Sequence, residues 1–342
     1  MGIVKKNIDL TKVKKILVIQ MGPIGDAFLT TSYFQTLKSK FPNAELHYLI
    51  FKRFQKAINK HPLIDKTICV ETKNGIQYHL ERLRKIMEIR DQNYDLIIDQ
   101  QNMQVTQFMT LLSGAKYKLG YADGNFSFAY NLKAERGERR YSASKKYDIL
   151  APLGIEEEKY ELFFNVSEES KKNISDWLKE NNLIDNQFIC ISPGSPVEKK
   201  KWKLENYIEL GNKLYEKYNL PLVVVWAPNE IDDAEKVSNS MKGKAILASK
   251  TSLEEVVSLI GRARLLICND GGLNHLAVAA KAKTLAIFGK TEPIDWSPAS
   301  VFKTHHHLYN ANISNKDKNS SFGISVDDAF KKILEIIGDK NG

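Results

Sequence analysis

Cysteine is scarce, and its placement excludes most of what cysteine does. The chain has 342 residues and 3 cysteines. Cys69, Cys190 and Cys268 lie far apart in "KTICV", "QFICIS" and "LLICND", all apolar strand-like runs. An odd, scattered set predicts buried reduced thiols rather than disulfides or a metal site. Long apolar runs are also lacking. No stretch approaches the ~20 residues that a membrane-spanning helix needs. The opening "MGIVKKNIDLTKVKK" has no long apolar core of a secretory leader. Lys6 breaks the myristoylation pattern that Gly2 would start. The expectation is a cytoplasmic protein. No G-x-x-x-x-G-K-[ST] occurs, which removes P-loop NTPases, and no G-x-G-x-x-G follows a strand, which argues against a dinucleotide dehydrogenase. H-x-x-x-H and C-x-x-C are absent too. His305-His306-His307 are adjacent, and adjacent side chains rarely converge on one ion. The triplet is read as structural or as an exposed loop, and no metal or cofactor is expected.

What is present describes a soluble globular chain, with 43% apolar and 27% charged residues and length for two domains. The formal charge is +9, which speaks of partners rather than fold. Much of it gathers in "KAERGERRYSASKK", residues 133–146, with six basic and two acidic side chains. An anionic surface or an acidic substrate would suit such a run, as would plain solvation. Nothing resembles a nucleic-acid module, so no nucleic acid is expected as a partner.

Strand and helix signals alternate from the start. "KKILVI" reads as a strand, "AFLTTSYFQTLKSKF" as a helix, "AELHYLI" as a strand and "ERLRKIMEIRDQN" as a helix. "YDLIIDQQ" is then a strand and "VTQFMTLLSGA" a helix ending at Gly114. The pattern loosens over 120–165, and a second series opens at Ser167 with a capping signal. It runs through the strands "FICIS", "PLVVVWA", "RLLICND" and "TLAIFG" with helices between them. It closes with a helix over 325–338, capped by Ser325 and Asp328 and stopped by Gly338. Two such series predict an α/β protein with two doubly wound parallel sheets. The boundaries fall at 1–160 and 161–342, and the closing helix is a candidate to pack back on the first domain.

Ligands of open parallel sheets bind beyond the carboxyl ends of strands. Four turns stand there. "MGPIGD" brings Gly25 and Asp26 to the start of a helix, where the carboxylate either caps the helix or faces a substrate. "SPGSPVEKKKW" brings Ser195 and Lys200, "WAPNE" brings Glu230, and "CNDGGLNH" brings Asp270, Gly271, Gly272 and His275. A glycine turn into a helix N-terminus suits phosphate, because the first N–H groups are unpaired and the dipole is positive there. A helix capped by Asp270 with His275 packed is the plain alternative. Together the three later turns imply a nucleotide-diphosphate ligand in the second domain.

These stretches resemble the heptosyltransferase family of lipopolysaccharide core synthesis, glycosyltransferase family 9. "ILVIQMGPIGDAFLTT", "YDLIIDQQ…LLSGAKYKLGY", "LAPLGI", "ISPGSPVEKKKWKLENYIELGNKL", "KTSLEEVVSLIGRARLLICNDGGLNHLAVAAKAKTLAIFGKTEP" and "WSP" fall in the family's order. The resemblance implies the GT-B fold, two Rossmann-like domains facing a cleft. It also implies an ADP-activated heptose donor, an anionic Kdo–lipid A or heptosylated core acceptor, and metal-free inversion. Asp26 then falls on the family's candidate base, Lys200 on the lysine that neutralises the diphosphate, and Thr251 where backbone meets adenine. Ser195, Glu230, Asp270, Gly271, Gly272 and His275 fall on the donor side. Gly271 replaces a frequent Ser or Thr, and Lys290 a frequent proline. For the acceptor, Gly25, Arg136, Arg139, Arg140 and Lys145 are the candidates, with peripheral contact at the inner membrane face. The rival readings are a transferase of the same fold with another sugar nucleotide or acceptor, and a nucleotide-sugar-binding protein without turnover. A panel of ADP, UDP and GDP separates the first, and ADP binding without transfer would mark the second.

Overall fold

Apolar β-branched runs followed by Gly, Pro or Asn turns and amphipathic helices leave the chain one economical arrangement, parallel strands joined by helical crossovers. The computed structural model describes residues 12–58, 61–312 and 322–338. The chain divides after Asn165 into two compact units.

The first unit contains β1 (Lys15–Ile19), α1 (Ile24–Thr30), α2 (Phe34–Lys40), β2 (Glu45–Phe51), α3 (Gln55–Ile58), β3 (Lys66–Val70) and α4 (Gly75–Asp91). It continues with β4 (Leu96–Asp99), α5 (Gln104–Leu112), β5 (Tyr117–Tyr121), β6 (Leu132–Ala134) and α6 (Ser142–Lys145). The second unit contains α7 (Glu168–Glu180), β7 (Ile189–Ser192), α8 (Leu204–Tyr218), β8 (Leu222–Val224), α9 (Ile231–Ser240), β9 (Ala245–Leu247) and α10 (Leu253–Gly261). It ends with β10 (Leu265–Asn269), α11 (Gly272–Ala279), β11 (Thr284–Ile287), α12 (Pro293–Trp296), β12 (His305–Leu308) and α13 (Val326–Ile337).

The sheet orders are β3-β2-β1-β4-β5-β6 and β12-β11-β10-β7-β8-β9. Renumbered within its own unit, the second is the first read backwards, so both units share one doubly wound topology. Every pairing is parallel, with Ile19 beside both Leu49 and Asp99, and Ile191 beside both Val224 and Ile267. The order reverses between β1 and β4 and again between β7 and β10. Loops leaving those strands diverge to opposite faces and open a crevice, where ligands of such sheets sit.

Both faces of each sheet are covered, so the central strands are apolar throughout. Leu17, Ile19, Leu49, Ile97 and Met109 form one face of the first core. In the second unit Ile191, Trp202, Tyr207, Leu210, Leu214 and Ile267 fill one face, and Phe188, Cys190, Val223, Leu266 and Cys268 the other. Burial pushes the Cys190 and Cys268 thiols up, which leaves them inert. Cys69 is only half-buried, against the expectation of a core thiol, because β3 is an edge strand.

Several elements differ from their sequence reading. The helix read across 27–41 is broken by a 3₁₀ turn at Thr31–Tyr33. Thr30 and Thr31 donate their hydroxyls to the carbonyls of Asp26 and Phe28, which competes with continued helix. β6 arises where the pattern loosens, since an edge strand needs fewer apolar residues, and β5, between β4 and β6, runs into the start of that region. Of the two readings of the histidine triplet the structural one holds: it forms the edge strand β12, with His305 buried, and not an exposed loop. The closing helix has the expected capping box, Ser325 to the Asp328 N–H and Asp328 back to the Ser325 N–H. It packs on α8, with Ala329, Ile333 and Ile337 in the core of its own unit.

One polar group is fixed deep in the first unit. Asp99 ends β4 with no exposure; it accepts from the Tyr130 hydroxyl at 2.7 Å and the Asn102 N–H at 3.0 Å. The Tyr130 ring reaches it by lying across Gly120, where a Cβ would sit 2.2 Å from the ring. Burial pushes the Asp99 carboxyl up to about 6, because the hydrogen bonds only partly offset desolvation. A raised carboxyl favours the folded state below its unfolded value of ~3.9 and loses that contribution as pH climbs through its folded value. Buried His61 and His305, held down to about 4, titrate in the opposite sense over the same range. The test is therefore the difference between native protein and Asp99→Asn in urea unfolding. From pH 4 to pH 7 that difference should move by roughly 2–3 kcal/mol in favour of the variant. A pH-independent difference would place the Asp99 carboxyl at its ordinary value.

Candidate active site

In the second unit, four neighbouring strands end in the turns that the sequence singled out. Asp270 and Gly271 follow β10, Ser195 and Lys200 follow β7, Glu230 follows β8, and Thr251 follows β9 by four residues. Those strands are adjacent in the order β10-β7-β8-β9. The sheet thus lines up residues that are up to 75 positions apart in the chain (Ser195 to Asp270).

Asn269 binds the first two turns together. Its Oδ1 accepts from the Trp202 N–H at 2.9 Å and the Tyr207 hydroxyl at 3.0 Å. Its Nδ2 donates to the Pro193 carbonyl at 2.8 Å and the Gly194 carbonyl at 3.0 Å. One buried side-chain amide therefore uses both donors and both acceptor positions. Trp202 is fully buried and donates its indole N–H to the Ile324 carbonyl at 3.2 Å. Lys200, two residues earlier, extends from a fixed anchor. The next joints are Gly194 against Glu230, where an added Cβ would lie 2.4 Å from the carboxylate, and Trp226, whose indole N–H donates to the Ala248 carbonyl at 2.9 Å. Glycine at 194 is demanded by that approach.

The three lysines of the turn separate by partner. Lys201 pairs with Glu198 and Asp233, Lys199 is exposed, and Lys200 donates to Asp270 Oδ2 at 2.6 Å. Asp270 is 2% exposed and Lys200 28%, so the carboxylate is buried and the ammonium reaches outward. Asp270 is not a helix cap. Gly271 holds the N-cap position of α11 with no side-chain cap, which leaves the first N–H groups of the helix free. Gly271 is extended, at φ −178°, and nothing lies within 4 Å of a Cβ built on Gly271 or Gly272. Neither packing nor backbone conformation requires glycine there; bare backbone facing outward is what these residues provide. His275 lies buried in the first turn of α11, its ring 6.2 Å from that of Trp296. Ser195 accepts from the Val197 N–H at 3.2 Å. Glu230 accepts from the Ala227 N–H at 3.3 Å, and burial, with Asp233 nearby, pushes its carboxyl up. Thr251 precedes Ser252, the N-cap of α10.

In the first unit Asp26 stands in the first turn of α1, whose N-cap is Pro23. It caps nothing. Its Oδ1 accepts from Lys146 at 2.9 Å, and it is 35% exposed. Lys146 was not singled out in the sequence; the only signal was its place at the end of the basic run. Nothing lies within 4 Å of a Cβ on Gly25. Two arginines of the basic run are also tied into the first unit. Arg136 pairs with Asp123, and its guanidinium lies 4.0 Å from the Tyr121 ring centre. Arg140 pairs with Asp148 and Glu157. Arg139 is exposed and Lys145 half-buried. Asp123 also accepts from Asn102, which joins the turns after β4 and β5, and Gln20 donates to Gln101 at 2.6 Å, joining those after β1 and β4.

Among the described residues no group of three or more His, Cys, Asp or Glu could hold a metal ion. Two open cavities, of about 440 and 560 Å³, lie elsewhere, one beside α4 and one along β12.

Two Rossmann-like units with this shared topology define the GT-B class of α/β proteins, and solved structures agree. A glycosyl transferase family 9 structure from Veillonella parvula matches at TM-score 0.85 and 20% identity, over 96% of this chain and 98% of that one. An Escherichia coli heptosyltransferase with ADP-2-deoxy-2-fluoro heptose matches at TM-score 0.72 and 17% identity, over 94% and 99%. At such identities these establish the fold. By sequence, lipopolysaccharide heptosyltransferase 1 of Campylobacter coli is 25% identical over 95% of this chain and all of its own length. Lipopolysaccharide heptosyltransferase 3 of Escherichia coli K12 is 23% identical over 80% of this chain and 82% of its own. The family description "Glycosyltransferase family 9 (heptosyltransferase)" matches residues 82–324. The chain belongs to glycosyltransferase family 9, and it is a glycosyltransferase.

The Asn269 clamp is testable directly. Asn269→Ala strands two donors and two carbonyls in a dry environment, so stability should fall by roughly 2–4 kcal/mol in urea unfolding. A loss under ~0.5 kcal/mol would mean that the turn after β7 is held by other contacts.

Proposed function

We propose that this protein is an inverting heptosyltransferase. It takes heptose from an ADP-activated donor and adds it to a lipopolysaccharide inner-core acceptor, Kdo–lipid A or its heptosylated form. The observation that carries the reading is the row of turn residues along four adjacent strand ends of the second unit. Strands lie ~4.8 Å apart, so three steps span ~14 Å, about the reach of a nucleoside diphosphate. Adenine would lie by Thr251, ribose by Glu230, and the diphosphate between Lys200 and the free end of α11. The relatives named as lipopolysaccharide heptosyltransferases, and the neighbour solved with an ADP-fluoroheptose, support this donor and acceptor.

In the reaction an acceptor hydroxyl oxygen bonds to the anomeric carbon. The bond from that carbon to the β-phosphate oxygen breaks, and its electron pair leaves with ADP. Negative charge grows on the departing diphosphate. Asp270 uses one Lys200 proton and orients the ammonium; the other two, with the first N–H groups of α11, stabilise that charge. The acceptor proton passes to Asp26. A carboxylate is a weak base, but the hydroxyl turns strongly acidic as its bond to the sugar forms, so a late transfer suffices. Lys146 holds Oδ1 and leaves Oδ2 to accept the proton. Gly25 keeps the backbone beside it open to an acceptor, and Arg139 and Lys145 are further acceptor candidates. Arg136 and Arg140 act by holding the turns that shape that side. Such an acceptor is lipid-anchored, so the protein works from the cytoplasm against the inner membrane face.

Two variants test the two halves. Lys200→Ala should weaken ADP binding by ~10–100-fold, the loss of one charge-assisted contact, with ADP favoured over UDP and GDP in the native protein. Lys199→Ala is the comparison and should leave ADP affinity unchanged. Calorimetry giving equal affinities for native protein and Lys200→Ala would remove Lys200 from the donor site.

Asp26→Asn keeps the shape of the side chain and loses the base. We expect kcat to fall ~10²–10⁴-fold with ADP affinity and melting temperature close to native. Near-native transfer by the variant would place the base elsewhere, and ADP binding with no transfer by the native protein would favour a binding function.

A further inference from the structure

The first unit carries an apolar face that its own fold leaves uncovered. On α4, Ile76, Leu80, Leu83 and Met87 follow helical spacing and are 75%, 58%, 55% and 66% exposed. The same helix turns Glu81 and Lys85 inward, 8% and 6% exposed, beside Ile89. Helices shaped by water alone do the reverse. The inward charges are paired, Glu81 with Arg84 and Lys85 with Glu88. α5 packs beside α4 and extends the face with exposed Met103, Phe108 and Leu112; its segment QVTQFMTLL has no charged residue. The rings of Phe108, Phe126 and Phe128 follow one another at 4.9 and 5.7 Å, and Phe128 is 64% exposed. The face is too continuous to be the scattered exposure normal on a soluble surface.

We propose that this face seats the protein on an anionic lipid bilayer, with α4 and α5 lying in the boundary between headgroups and acyl chains. Charge selects this occupant. Arg84 is one turn from both Leu80 and Met87, and Arg90 is one turn beyond Met87. Arg90 also lies beside Gly114 at the end of α5, two residues before Lys116. Arg84, Arg90 and Lys116 are exposed, against Asp91 as the exposed acid of α4. Lipid phosphates answer Arg90 and Lys116 and share Arg84 with Glu81, while acyl chains cover the leucines and methionines. A second copy of the chain would set these cations against themselves across a two-fold axis. Among the described residues no helix is long and apolar enough to cross a membrane, so the contact is peripheral. The proposal deepens the reading of a lipid-anchored acceptor and rests on it for its purpose, but its test needs neither donor nor transfer.

The experiment is sedimentation of the full chain with vesicles of phosphatidylcholine alone or mixed with phosphatidylglycerol, at low and high salt. The protein should pellet with the phosphatidylglycerol vesicles at low salt, and much less with phosphatidylcholine or at high salt. Leu80→Gln/Leu83→Gln/Met87→Gln should lower that binding at least 10-fold, with native melting temperature and ADP affinity. Arg90→Gln/Lys116→Gln should bind more weakly and with less dependence on salt; it decides the matter should the triple variant misfold. Native protein that stays in the supernatant, or variants that pellet as well as native, would overturn the proposal. So would a dimer in light scattering that the triple variant dissolves, which would give the face to a second copy. Vesicle binding in a protein that binds no ADP would leave this surface standing and remove the donor reading instead.

Discussion

Parallel pairing is the constraint on which everything else in this protein depends. In a sheet whose strands all run one way, every turn from strand to helix falls on the same edge. That edge collects unpaired backbone N–H groups at helix starts, glycines, and the polar side chains that cannot enter the apolar strands. Six strands in each unit obey this rule. The remaining problem is mechanical: turns separated by tens of residues must be held at fixed spacing, or no extended ligand could use them together.

Both units solve it with side-chain joints from one strand end to the next. In the second, Asn269 joins the turns after β10 and β7, Gly194 and Glu230 join those after β7 and β8, and Trp226 joins those after β8 and β9. In the first, Gln20 and Gln101 join the turns after β1 and β4, Asn102 and Asp123 those after β4 and β5, and Asp123 and Arg136 those after β5 and β6. Such networks are favourable only when nearly every member is satisfied, since an unpaired buried polar group costs more than its hydrogen bond would contribute. Asn269 meets that condition fully. Asp99 meets it in part, and its raised carboxyl is the measure of what remains.

The sequence made the fold and the turns after β7 and β10 legible for a common reason. A buried parallel strand is a continuous apolar run, and a glycine turn after it is a local signal; "LLICNDGG" has both. Asp270, Lys200 and Gly271 could therefore be picked out from neighbours within a few residues. What escaped depends on partners distant in the chain. Asn269 ends β10 as its strand pattern says, but its clamp escapes because its four bonds go to residues 62 to 76 positions away. Lys146 reaches Asp26 across 120 residues, and no spacing rule connects them. The edge strands β6 and β12 escaped for a different reason: with a neighbour on one side only, they tolerate the polar and small residues that blur a strand pattern.

Charge follows the same division between local and distant. The basic run over 133–146 looks like an anion-binding patch when its residues are counted, yet Arg136, Arg140 and Lys146 all have carboxylate partners in their own unit. Their charge is used to fix loops and to orient Asp26. The excess of +9 must then be expressed by other side chains. Arg90 and Lys116 are of that kind, and with Arg84, whose partner Glu81 is turned inward, they stand exposed beside apolar side chains rather than at a strand end. The inverted helix α4 makes the distinction physical. Its acids Glu81 and Glu88 are paired with cations of the same helix, and Glu81 is turned inward. A helix arranged for water would turn Glu81 outward and its leucines in. This one does the opposite, and the outward face gains the combination of apolar and basic groups that a negatively charged, oily surface complements.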